Sequence, residues 1–171
     1  MQLIAGQNIT LKNTTLELKF DLGHMPSGVA VDTSAFALAS NHKVRGIDDV
    51  INGDNPSLSG EGISRENDGQ VFKFDLQKLP TELAKVAVTI VIKKGAEKRQ
   101  TLALVHHVSA QLWDSPEHML CEFRMDTEGR KEVAMIMVEF YRHNSAWKFR
   151  AVGQGFNNGQ QALFSNYGVN G

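Results

Sequence analysis

Two alternating runs, VAMIMVEFYRH (133–143) and AWKFRAVGQ (146–154), stand on either side of the short polar pair Asn144-Ser145. Successive side chains of an extended strand point to opposite faces, so two such runs joined by two turn-forming residues predict a β-hairpin. The pattern also sorts a crowded set of cations and aromatics. Trp147, Phe149 and Ala151 fall on a core-facing stripe, while Lys148 and Arg150 emerge on the other side. On the first strand, Phe140 and Arg142 alternate with Glu139, Tyr141 and His143. Arg150 is expected to pair with Glu139 across the strands.

The same period recurs along the chain. TLELKFDL (15–22) places Leu16, Leu18, Phe20 and Leu22 on one face, and VFKFDL (71–76) groups Phe72, Phe74 and Leu76. KVAVTIVIKK (85–94) is nearly continuous and β-branched, the composition of a central strand buried on both faces. Helix signals are scarcer: one turn over PTELA (80–84), opened by Pro80, and a short helix over GQQALFSNYG (159–168), ended by Gly168. TLALVHHVSAQLW (101–113) suits a helix or, from Val108 to Leu112, a strand. Residues 40–70 are rich in Gly, Asn, Asp and Ser and read as one long loop, a feature that is usually functional or mobile. The expectation is a mainly β chain: a β-sandwich of two packed antiparallel sheets with one or two short helices, one domain over 1–171.

With 18 Lys plus Arg against 19 Asp plus Glu, no overall field selects a polyanion or an anionic membrane. A nucleic-acid partner is not expected. MQLIAGQNITLKN lacks the basic and apolar regions of a signal peptide, and no apolar run approaches the roughly 18 residues of a membrane span. The single cysteine, Cys121, fits a reducing compartment. Cytoplasmic localisation without membrane insertion is the expectation.

Reactive constellations are sparse. His106-His107 are adjacent, so their rings diverge and do not chelate one ion together. Cys121 has His118 three residues away but nothing to orient it, and it reads as a core thiol. KKGAEKR (93–99) groups four cations in what reads as a solvated loop after a buried strand. No Gly-x-Ser-x-Gly, P-loop or dinucleotide fingerprint occurs.

Six blocks in order resemble the TerD family of bacterial tellurium-resistance and stress proteins: LIAGQNITL, which looks like the family's first strand, DTSAFAL (32–38), KVRGIDDV, FDLQKLP, WKFRAVGQG and the closing YGVNG. The resemblance implies a β-sandwich and a role in resistance to tellurite and related chemical or phage stress. It implies no catalytic mechanism. It further implies calcium bound at acidic loops and partnership with other tellurium-resistance proteins in membrane-associated stress complexes.

The family's calcium blocks are thinned in this chain. Its Asp-x-Asp pair reads Ala30-Val31-Asp32, its Asn-Asn-Pro loop reads Asp54-Asn55-Pro56, and its late acidic cluster shrinks to Glu66, Asn67 and Asp68, with Gln70 where Glu is expected. Calcium takes about six to eight oxygen ligands, several of them carboxylates. Asp32, Asp54, Asn55, Glu66 and Asp68 are therefore the candidate ligands of one weak calcium site, and not of two. The alternative is that Asp54, Asn55 and Pro56 form a solvated turn. Two functional readings follow: a non-enzymatic binding module for calcium or a protein partner, or a hydrolase using an unrecognised carboxylate or histidine pair.

Overall fold

The computed structural model describes residues 1–58 and 62–169; the end of the YGVNG block and residues 59–61 of the long loop lie outside the described residues. Among the described residues, twelve strands run in chain order: β1 (Gln2–Leu3), β2 (Asn8–Thr10), β3 (Thr15–Asp21), β4 (Val31–Ala39), β5 (Val50–Ile51), β6 (Ile63–Glu66), β7 (Val71–Asp75), β8 (Leu83–Ile92), β9 (Val108–Ser115), β10 (His118–Met125), β11 (Ala134–His143) and β12 (Ala146–Phe156). They form one sheet ordered β1-β10-β9-β3-β7-β6, here called sheet A, and a second ordered β2-β12-β11-β8-β4-β5, sheet B. All pairings are antiparallel except β1 with β10, which is parallel.

The alternation read from the sequence generates the main core. Leu16, Leu18 and Phe20 of β3 and Phe72 and Phe74 of β7 project from sheet A. They meet Ala35, Ala37, Val86, Val88, Ile90, Phe140 and Phe149 of sheet B, with the Phe74 and Phe140 rings 4.3 Å apart. Trp147, Phe149 and Ala151 face inward as expected. The turn residues Asn144 and Ser145 have φ of 49° and 67°, the left-handed pair a two-residue hairpin turn requires.

Strand β8 lies between β11 and β4 and is buried on both faces, because sheet B carries a second, smaller core outside. Phe36, Leu38, Ala87 and Ile136 point away from the sandwich there and are covered by Leu163, Tyr167 and Val169. Helix α2 (Gly159–Asn166) supplies this cover, α1 being the single turn Gly95–Lys98. The end of α2 is a Schellman motif: Val169 N–H donates to the Phe164 carbonyl and Gly168 N–H to that of Ser165, with Gly168 at φ 73°.

The structure differs from expectation in four places. LIAGQNITL is not one strand; Gly6, at φ 92°, turns the chain so that β1 joins sheet A and β2 joins sheet B. Residues 80–84 make a turn, Leu83 N–H donating to the Pro80 carbonyl at 3.0 Å, and β8 begins at Leu83. The cationic stretch 93–99 holds the helical turn α1 between left-handed Lys94 and Arg99. The presumed loop 40–70 contains two strands, β5 at the edge of sheet B and β6 at the edge of sheet A. The ambiguous stretch 101–113 resolves into a short 3-10 turn at Leu102–Leu104 followed by β9.

Candidate functional site

The segment from β5 to β7 crosses from one sheet to the other and builds one end of the sandwich. Upstream, the KVRGIDDV block is anchored by a two-pronged pair: Arg45 Nε and Nη2 each donate to Asp49 at 2.9 Å, and Asp49 is buried. The chain then returns along itself, with Leu58 N–H donating to the Ile63 carbonyl and Arg65 N–H to that of Pro56 at 2.7 Å. On β6, Ile63 lies in the core, so Arg65, two residues on, also points inward.

The Arg65 side chain bridges the two sheets. Its Nη2 donates to Asp32 Oδ1 at 2.8 Å and its Nε to the Thr33 carbonyl at 3.1 Å, both at the start of β4. Its side chain is 10% exposed. Behind it, Asn67, Asp68 and Gly69 form a turn with φ of 51°, 54° and 86°, a left-handed run that Asn, Asp and Gly tolerate best. Gly69 donates no side chain because none fits: a Cβ there would collide with the Thr33 hydroxyl and the Arg65 guanidinium. Thr33 Oγ1 in turn donates to the Gly69 carbonyl at 2.7 Å. Gly53 flanks the other side, with Arg65 Nη1 3.6 Å from where its Cβ would be.

The five residues named from sequence meet different partners. Asp32 is held by Arg65 and also accepts from the Thr33 N–H at 3.1 Å. Asn55 spends its side-chain N–H groups on the carbonyls of Asp48 and Val50, at 3.1 and 2.9 Å. Asp54 is exposed, and its N–H caps Asn52 Oδ1 in a side-chain-closed turn. Glu66 accepts from Ser64 and lies 3.4 Å from Lys73 Nζ on the outer face of sheet A. Asp68 is exposed on the left-handed turn.

These residues do not fit a calcium shell as arranged. Asp32, the one partly buried carboxylate of the five, is already paired with the Arg65 guanidinium, and Asp54, Glu66 and Asp68 are exposed. Among the described residues no three His, Cys, Asp or Glu side chains group so as to hold a metal ion. Sequence reasoning missed Arg65 because β6 went unrecognised. The signal was present in Ile63-Ser64-Arg65, where an inward Ile fixes an inward Arg.

Three other groups bear on chemistry. A cleft of about 670 Å³ runs from Asp32 past Lys93, Lys94 and Glu97 to Gly159 at the start of α2. A second, of about 560 Å³, is lined by His106, His107, Arg124, Asp126 and Glu128, and His107 Nε2 lies 3.4 Å from Asp21. Cys121 is fully buried, and burial pushes its thiol up to about 11, so it is protonated and unreactive at neutral pH. No helix among the described residues is long and apolar enough to cross a membrane.

Two six-stranded sheets packed face to face, one carrying a helix on its outer side, define a two-sheet β-sandwich. The TerD domain family matches residues 1–167, and the chain belongs to that family. It is 35% identical over 150 residues to the tellurium resistance protein TerD of Serratia marcescens, covering 82% of this chain and 78% of that protein. It is 31% identical over 119 residues to chemical-damaging agent resistance protein B of Clostridium acetobutylicum, covering 69% and 82%. The crystal structure of a TerD homologue from Streptomyces coelicolor A3(2) superposes with a TM-score of 0.67 over 90% of this chain and 95% of that one, at 22% identity. That likeness shows a shared fold.

Proposed function

We propose that this chain is a non-enzymatic module of chemical-stress resistance, tellurite included, that works by binding another TerD-domain protein. The observation that carries this reading is the engagement of Asp32, Asn55 and Glu66 with the chain's own Arg65, backbone carbonyls and Lys73. Of the five candidate metal ligands, Asp32, Asn55 and Glu66 are engaged within the chain, while Asp54 and Asp68 are exposed. Its resistance-named relatives support the stress role.

The test is affinity capture of the tagged chain, with chelator in the buffer, from tellurite-challenged cells that encode other TerD-domain proteins. Recovery of such a relative at a fixed ratio is the expected result. Cells in which no TerD-domain protein is recovered would overturn the reading, as would turnover of a substrate by the purified chain at enzymatic rates.

A further inference from the structure

We infer that Arg65 is a built-in cation: its guanidinium occupies the space between Asp32, Thr33 and the 67–69 turn, so this end of the sandwich is set without any metal ion. The inference deepens the partner-binding reading and rests on it only for its biological use. The surroundings are those of a cation site. A carboxylate oxygen lies 2.8 Å away and a strand carbonyl 3.1 Å away, on β4 of the opposite sheet. The Arg65 side chain is nine-tenths withdrawn from water, so its charge depends on the Asp32 carboxylate, which itself stays about a third exposed.

The surrounding backbone is shaped to the guanidinium. Two glycines, Gly53 and Gly69, stand against its two Nη nitrogens, and the Gly69 position has no room for a side chain. The turn beside it holds three successive left-handed residues, a conformation that persists only where neighbours impose it. The Thr33 hydroxyl bond to the Gly69 carbonyl ties that turn to β4, so turn, strand and guanidinium form one unit. Because Arg65 is itself part of β6, the bridge from sheet A to sheet B is covalently tethered at one end. A diffusible ion would leave when its concentration fell; this cation does not. A lysine would supply the charge but not the planar fork that serves a carboxylate and a carbonyl together.

The experiment compares thermal unfolding of the whole chain, Arg65→Ser, Arg65→Lys and the double variant Arg65→Ser with Asp32→Asn, each in chelator and in millimolar calcium. The unaltered chain should melt at the same temperature in both. Arg65→Ser in chelator should melt lower by roughly 3–10 °C, the loss of a sheltered guanidinium whose remaining partner, Asp32, is partly screened by water. Calcium should restore part of that loss, and Asp32→Asn in the double variant should abolish the restoration. Arg65→Lys should fall between the two and ignore calcium. If Arg65→Ser does not fold in chelator, folding should return in calcium.

A calcium-induced rise in the unaltered chain or in Arg65→Lys would overturn the inference. So would an Arg65→Ser protein, folded or unfolded in chelator, on which calcium has no effect. None of these outcomes bears on whether a TerD-domain partner is captured, so the two readings fail separately.

Discussion

Glu139 and Arg150 stand directly opposite each other on β11 and β12 and join as an ion pair, with the Lys85 ammonium 3.7 Å from the second carboxylate oxygen. Glu139 is only 7% exposed, whereas the Arg150 side chain is 38% exposed and lies 5.3 Å from the Tyr141 ring. One sheltered anion is therefore served by two cations from neighbouring strands.

This asymmetry predicts unequal mutational costs. Glu139→Gln leaves two cations facing each other and should cost about 2 kcal/mol. Arg150→Met should cost under about 1 kcal/mol, since Arg150 is solvent-screened and Lys85 stays in place. Urea unfolding of both variants checks the order; equal costs would show that Lys85 does not share the carboxylate.

The turn at 67–69 predicts a contrast between two glycines. Gly69→Ala adds a clash with Thr33 and Arg65 to a backbone at φ 86°, and should cost about 2–4 kcal/mol. Gly28, at φ 83°, has open space around its Cβ position, so Gly28→Ala should cost only about 1 kcal/mol of backbone strain. Melting temperatures of the pair separate packing from conformation.

Acid should act partly through Glu122. A hydrogen bond from Ser109, opposed by burial and supported by Gln111 and Gln2, holds its carboxyl below the ordinary 4.5. A folded-state pKa below the unfolded one stabilises the protein above that ordinary value, and the contribution is lost as pH falls through the folded one. Glu122→Gln should therefore be less stable than the unaltered chain at neutral pH, and the gap should close as pH falls below the ordinary 4.5 and through the lower folded-state value. Paired unfolding curves at neutral and acid pH measure it.

Alkali should act partly through Cys121. Its thiol is raised from 9.0 to about 11 by burial, so the folded state keeps its proton where the unfolded state has lost it. Stability from this group is complete below pH 9.0 and is lost as pH rises toward about 11. Iodoacetamide labelling of the native protein near pH 8 should be at least roughly a hundredfold slower than in denaturant, because the accessible thiolate appears only on opening. Native labelling at the denatured rate would show an open thiol.

The fold was legible wherever one face of a strand is buried. Trp147, Phe149 and Ala151 alternate with Lys148 and Arg150 because the outer face of β12 is partly open to water at those two positions, and the Glu139–Arg150 register follows from a two-residue turn. Where strands are very short, periodicity has nothing to act on. β1 and β5 have two residues each, and β6 hides in a stretch whose Gly, Asn and Asp content signals only turns. The candidate site was legible as a set of oxygen donors and not as a geometry. Asp32 looks like a metal ligand in isolation, and its partner Arg65 lies 33 positions away on the other sheet. Local spacing carries no trace of such a pairing.

The four outermost strands, β1, β2, β5 and β6, are each two to four residues long. A rim built this way offers only short templates for another chain to extend by backbone pairing. Association with a second TerD-domain protein would then be read through side chains on faces and loops, so surface substitutions could retune which relative is chosen while leaving every strand pairing intact.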